Sequence, residues 1–143
     1  MIRKELLGSA TLLLVLLPLT AVTGESTSLK EIMQGLRNNV VDISDGLLMD
    51  DFEQVARGAI AISKHPRIPA DQVQLVAQEL GPEMPAFKAL DTVVHDLSLE
   101  INAAAKARDS AAAITAYQRM LDGCFACHAA YKERVATVLQ EVP

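Results

Sequence analysis

The chain has 143 residues, of which half are hydrophobic and 3% aromatic, and its formal net charge is −5 at pH 7. This length suits one domain with a single core, and the abundance of alanine and leucine favours helix over strand. The acidic balance argues against nucleic acid as a partner, because such affinity depends on basic side chains that neutralise phosphates. It favours a basic protein as the partner instead.

Residues 1–24 are predicted to form a signal peptide. A short basic start precedes an apolar run from Leu6 to Val22, and small residues near Gly24 suit a cleavage site. An uncleaved membrane anchor is the alternative, although the apolar run is slightly short for a span and contains Pro18. Cleavage would remove two of the 13 basic and one of the 18 acidic residues, leaving residues 25–143 with a net charge of −6 in the periplasm of a bacterium.

The first helix of the mature domain is predicted from about Ser28 to Leu48. Its apolar residues recur at spacings of four and three, which keeps one stripe facing a partner helix. Asp50 is the predicted N-cap of a second helix, with Glu53 completing a capping box, and this helix should end before Pro66. The stripe of the first helix consists of Leu29, Met33, Leu36, Val40, Ile43 and Leu47.

The stretch from residue 65 to residue 82 is predicted to be loose, since prolines and Gly81 interrupt it. A short helix from about Ala70 to Leu80 fits within this stretch. A third long helix should begin near Glu83. Its apolar stripe consists of Phe87, Leu90, Val94, Leu97, Ile101 and Ala104.

The last helix is predicted to begin at a cap formed by Asp109 or Ser110. Four helices with short connections indicate an all-α fold, an antiparallel up-down-up-down four-helix bundle. No stretch shows the sustained alternation that would predict a sheet. The stripe of the last helix consists of Ile114, Tyr117, Leu121, Cys124, His128, Tyr131, Val135 and Val138.

The chemistry of the chain concentrates in the segment Cys124-Phe125-Ala126-Cys127-His128. This C-x-x-C-H spacing is the attachment signal for c-type haem. Each thiol can form a thioether with one vinyl group, and the histidine beside the ring can bind iron. On a helix these three side chains share one face, which is predicted to point into the bundle.

Three other uses of the two cysteines stay open. An exported protein can hold a structural disulfide, although its ring would be tight here and would leave His128 unexplained. A thioredoxin-like redox pair requires a βαβ context, which the sequence lacks. A zinc site would require a fourth ligand, and neither His65 nor His95 has supporting spacing. Haem attachment is therefore the preferred interpretation.

The motif and its surroundings resemble the class II c-type cytochromes of the cytochrome c-prime group. Segment Cys124–Lys132 matches their haem motif, including Tyr131 and the basic residue after it. Leu29–Met33 is similar to the first-helix start of the low-spin, methionine-ligated members, and Gly81–Met84, followed by Phe87, is similar to the start of their third helix. The resemblance spans nearly the whole mature chain. It implies an exported four-helix bundle with one haem c per chain, used in electron transfer or gas binding.

The second axial ligand of the iron decides between those two functions. Met33 is the predicted ligand, because it lies on the stripe of the first helix at about the height of His128. Met120 shares a helix with His128 and cannot cross the haem, Met49 lies at the other end of the bundle, and Met84 has no place on a stripe. With Met33 bound, the protein is predicted to carry single electrons, whereas an open iron would bind gases such as NO or CO.

The remaining predictions concern residues around the motif and the partners. Phe87 and Tyr131 are predicted to pack near the haem, with ordinary core packing as the alternative, and His65 and His95 to lie on the surface. Lys132 has two interpretations, contact with a haem propionate or a solvated lysine. The protein is not predicted to be an enzyme, since no acid, base or nucleophile accompanies the motif. A redox protein is the expected partner, a homodimer stays open because related bundles often pair, and membrane association would require an uncleaved N-terminal segment.

Overall fold

The computed structural model describes residues 27–140. The predicted signal peptide, residues 1–24, lies outside these residues, as do both ends of the predicted domain, residues 25–143. Residues 27–140 form an all-α helical bundle without a strand, so the predicted fold class is confirmed. The helices are α1 (Leu29–Leu48), α2 (Phe52–Ser63), α3 (Ala70–Leu80), α4 (Met84–Lys106) and α5 (Ser110–Gln140), and a 3-10 turn, Gly81–Glu83, joins α3 to α4.

The helices pack as a series in which α1 lies along α2, α2 along α4 and α4 along α5, while the short α3 packs against α5. The Asn102 amide of α4 donates to the Ala56 carbonyl of α2 at 2.7 Å. Just beyond the end of α2, the His65 ring lies 4.0 Å from the Asp91 carboxylate of α4. From Ala56 to His65 the residue number rises, while that of their partners on α4 falls from Asn102 to Asp91. The helices α2 and α4 therefore run in opposite directions.

Two glycines permit the close approach of α1 and α2. A Cβ atom on Gly46 would lie 2.9 Å from the Val55 side chain. A Cβ atom on Gly58 would lie 2.9 Å from the Ile43 side chain and 3.0 Å from the Asn39 carbonyl oxygen. Real Cβ atoms do not come this close to other heavy atoms, so any larger residue at either position would force the helices apart.

The start of α1 is as predicted, and the start of α2 requires a correction. Ser28 caps α1, and its backbone N–H donates to the Glu31 carboxylate at 2.8 Å in a capping box. The N-cap of α2 is Asp51 and not Asp50, since the Asp51 carboxylate accepts from the Gln54 N–H at 2.9 Å. Asp50 has a φ of +56°, because the backbone turns left-handed there to close α1.

Most residues of the predicted stripes on the first and last helices are buried or half-buried, but a few lie off the buried faces. On α1, Ile32 is 2% exposed whereas Met33 is 38% exposed. On α5, Ile114 and His128 are exposed, which corrects the prediction that His128 points into the bundle. Small residues explain the shift on α5, because they let α4 approach most closely where they lie. The buried residues of α5 are Ala113, Ala116, Met120, Gly123, Tyr131 and Val135.

The buried side chains form two separate clusters. On α5, Met120 belongs to one cluster and Cys127 packs against the other, so Gly123 and Cys124 lie between them. The turn cluster, named for the α1–α2 turn, comprises Ile43, Val55, Ala59, Ile62, Leu97, Ile101, Ala105, Ala116 and Met120. The motif cluster comprises Leu29, Val76, Leu80, Tyr131 and Val135.

Candidate functional site

Cys124 and Cys127 both lie in the regular part of α5, one turn apart, and both are half-buried free thiols. Cys127 packs against the motif cluster, whereas Cys124 lies in the layer between the two clusters. A helix places residues three and four apart on one face. The two thiols and the His128 imidazole therefore occupy one side of α5, as the motif requires.

The electrostatic surroundings of the thiols favour their neutral form. Burial raises the pKa of Cys124 and of Cys127, and at Cys127 the nearby Asp91 carboxylate raises it further. A catalytic redox pair needs the opposite, a lowered pKa that yields a thiolate, and zinc also binds the deprotonated sulfur. Among residues 27–140, no group of three or more potential ligands is placed to hold a metal ion. The raised pKa of the two thiols does not favour the redox-pair interpretation.

His128 is exposed on the flank of α5. A hollow of about 510 Å³ touches it. All of the walls of this hollow belong to α5, so it is a surface depression beside the motif and not an enclosed cavity between helices. The lining residues are His128, Ala129, Ala130, Lys132, Glu133, Arg134 and Ala136.

Met33 is predicted to lie at the height of the motif, on the neighbouring flank of α1. The Tyr117 hydroxyl of α5 donates to the Val40 carbonyl oxygen of α1 at 3.2 Å, so these two residues lie side by side. Met33 precedes Val40 by seven residues, and Cys124 follows Tyr117 by seven. Seven residues make about two turns, or roughly 10 Å. In the predicted topology α1 and α5 run in opposite directions, and this register would then put Met33 level with Cys124 and one turn from His128.

The layer between the clusters contains both of these residues. Leu36 packs against the turn cluster and Leu29 belongs to the motif cluster, so Met33 falls between them on α1. Cys124 occupies the same layer on α5. The height of Met33 relative to the motif stays a prediction, and its predicted place on the buried stripe is wrong, because Met33 is 38% exposed.

Phe87 and Tyr131 lie together beside Cys127. Their rings meet edge to face, with centroids 5.5 Å apart and an interplanar angle of 86°. Both side chains and Cys127 take part in the motif cluster. This position suits the predicted packing role, and contact of the two rings with a haem stays a prediction.

The other methionines of residues 27–140 lie in three different places. Met120 is fully buried in the turn cluster, and Met49 is 72% exposed at the opposite end of α1. Met84 packs against the motif cluster at the start of α4. Met84 therefore packs against the same cluster as Cys127, while Met33 stays the predicted ligand.

The side chains of His65, His95 and Lys132 each lie in a different environment. His95 is exposed, with its Nδ1 atom 3.0 Å from the Asp96 carboxylate, and Lys132 is also exposed. His65 is half-buried near Asp91, and neither histidine joins the motif. Asp91 was missed by the sequence analysis. Its position one turn after Phe87 on the same helix was the available signal.

The groups at this site suit a covalently bound haem. Two neutral thiols at C-x-x-C spacing match two vinyl groups, and the adjacent imidazole and the Met33 thioether are ordinary haem-iron ligands. Comparison with protein-family models, curated proteins and solved structures returns no match to this chain. Within residues 27–140 no helix has the length and apolar character needed to cross a membrane.

Proposed function

We propose that this protein is an exported c-type cytochrome that carries single electrons through one haem. It resembles the class II cytochromes of the cytochrome c-prime group. Cys124 and Cys127 would hold the haem, His128 would bind the iron from one side, and Met33 would bind it from the other. The observation that carries the proposal is the C-x-x-C-H segment on one side of α5, at the boundary of the two core clusters.

Attachment of the haem would use both thiols of the motif. Cys124 and Cys127 would each hold the haem through one thioether to a vinyl group. Burial raises the pKa of both cysteines, which favours the neutral thiol. The bound group supplies a one-electron change at iron.

The chain's own residues account for the remaining requirements of an electron carrier. The Met33 thioether would favour the reduced iron and raise the reduction potential. Phe87 and Tyr131 would keep water from the side of Cys127, since both belong to the motif cluster. A periplasmic location would supply the maturation that this attachment requires, and the acidic surface would favour a basic redox partner.

A gas-binding protein with five-coordinate iron is the second candidate. The observation that favours it is the exposure of Met33, which is 38% exposed and lies off the buried face of α1. A methionine that stayed on the surface would leave one face of the iron open to NO or CO. The two candidates share the attachment chemistry and differ in the sixth ligand.

Covalent attachment is tested by expressing the full chain in a bacterium that matures c-type cytochromes. Acid and organic solvent should leave the colour on the protein, whereas the variant carrying both Cys124→Ala and Cys127→Ala should lose it. Free extraction of haem from the unmodified protein would overturn the proposal.

The sixth ligand is tested by spectroscopy of the same protein. The ferric form should show the weak red charge-transfer band of methionine-ligated haem, and Met33→Ala should abolish it and speed CO binding to the ferrous form. Met49→Ala is the matched control, because Met49 is 72% exposed and lies at the other end of α1. Rapid CO binding by the unmodified protein would support the gas-binding candidate instead.

A further inference from the structure

The contact between α1 and α5 differs from the contacts between the other long helices. The backbones of α1 and α2, of α2 and α4, and of α4 and α5 approach closely along their lengths, whereas those of α1 and α5 scarcely do. The flank of α1 that carries Met33 is thus not fixed by close packing against the helix that carries the motif. Side-chain contacts, among them those of Leu29 in the motif cluster and of Tyr117, therefore set its height relative to α5.

One such contact is polar and specific. The Tyr117 hydroxyl of α5 donates to the Val40 carbonyl oxygen of α1 at 3.2 Å, in a partly buried position. The Tyr117 ring packs against the turn cluster, which orients the hydroxyl toward α1. Burial raises the pKa of Tyr117, so the hydroxyl keeps its proton and can donate throughout the physiological pH range.

The contact also has a defined distance from the candidate site. Met33 is two turns from Val40, and Cys124 is two turns from Tyr117, in the same direction along the bundle. A sliding of α1 along α5 would change the height of Met33 relative to the motif by the same amount. A hydrogen bond, which tolerates little change in length or angle, resists such sliding more than apolar packing does.

We propose that Tyr117 is a positioning residue whose hydroxyl sets the height of α1 against α5 and so keeps Met33 level with Cys124 and His128. The inference rests on the proposed function for its consequence at the iron, since Met33 matters there only as a ligand. The link between the helices is itself a property of the protein chain and can be measured separately.

The test compares Tyr117→Phe with the unmodified haem-containing protein. This substitution removes the hydroxyl and retains the ring that packs against the turn cluster. Thr115→Val is the matched control, because it removes a hydroxyl of the same helix that donates only to the Ala111 carbonyl of that helix, at 2.8 Å. The two readouts are amide hydrogen exchange of α1 and the rate at which the ferrous protein binds CO.

Loss of a neutral hydrogen bond should speed local opening about fivefold. Amides of α1 in Tyr117→Phe should exchange faster by about that factor, relative to the amides of α4 in the same sample, which correct for global stability. CO binding should quicken by a similar factor, because the fraction of molecules with Met33 off the iron rises. Thr115→Val should leave both readouts unchanged.

The outcomes separate this inference from the proposed function. The spectrum of the unmodified protein decides whether a methionine binds the iron at all. If it does, and Tyr117→Phe changes neither exchange in α1 nor CO binding, the inference is wrong while the function stands. If exchange in α1 rises but CO binding is unaffected, Tyr117 links the helices without positioning Met33, which also overturns the inference.

Discussion

Cys124 and Cys127 hold their protons more tightly than exposed cysteines do, because both are half-buried. A raised pKa in the folded state means that folding favours the neutral thiol. The associated stability is fully present below the pKa of the unfolded chain and is lost as the pH rises through the folded pKa. The haem-free folded chain should accordingly become less stable as the pH rises above the pKa of the thiols in the unfolded chain.

Alkylation rates measure this shift directly. In the haem-free chain, iodoacetamide should modify both cysteines more slowly near neutral pH than it modifies the same cysteines in urea, and the rate should climb at more alkaline pH than in the unfolded control. The reason is that only the thiolate reacts. A pH profile displaced to lower pH than that of the unfolded chain would show a thiolate site, and would revive the redox-pair interpretation.

The sequence indicated the chemical types of the residues at the candidate site, but it did not predict how exposed each side chain is. The spacing of Cys124, Cys127 and His128 can be read from the sequence without knowledge of the fold. The exposure of Met33 and His128 depends on which side each helix buries, and the apolar pattern alone misjudged it. On α5 the closest approach to α4 is set by small residues such as Gly123, whose Cβ would meet Val94 at 3.2 Å. A pattern of large apolar residues does not identify the small residues at which two helices approach most closely.

At the scale of elements, local rules located the helix ends well. Pro66 predicted where α2 would stop, α1 was predicted to begin at about Ser28, and the short α3 was predicted at its observed bounds, Ala70–Leu80. The turn after α1 was misjudged by one residue, because Asp50 and Asp51 are both good caps. Only the left-handed conformation of Asp50 leaves the capping role to Asp51.

Element packing predicts opposite effects for two glycine-to-alanine changes. Gly58→Ala should destabilise the protein by about 1–3 kcal/mol, because its Cβ would overlap Ile43 and the Asn39 carbonyl. Gly35→Ala is the matched control: it lies in α1 with nothing within 4 Å of the added Cβ, so the better helix propensity of alanine should stabilise by up to about 1 kcal/mol. Urea unfolding of both variants measures the difference. Equal effects of the two changes would contradict the close contact of α1 with α2.

At the scale of the whole molecule, the two core clusters differ in what supports them. The turn cluster joins α1, α2, α4 and α5, whereas the motif cluster has fewer buried residues and gathers the ends of α1, α3 and α5. Arg134 ties α5 to the α3 region through Glu79 at 3.0 Å and Glu83 at 2.9 Å. These pairs are exposed enough to be screened by solvent. The motif end of the bundle should therefore depend more on the bound haem than the turn end does.

Removal of the haem should expose this difference. A group bound only by the folded state stabilises it, and loss of a large buried group costs several kcal/mol. The Cys124→Ala, Cys127→Ala variant should therefore melt about 10 °C or more below the unmodified protein. Its amide exchange should accelerate most in α3 and in α5 beyond Cys127, and least in α2, whose buried residues lie in the turn cluster. Circular dichroism gives the melting temperature, and exchange resolved by mass spectrometry gives the distribution. Uniform acceleration along the chain would mean that the two clusters unfold together, and an unchanged melting temperature would mean that no haem supports the fold.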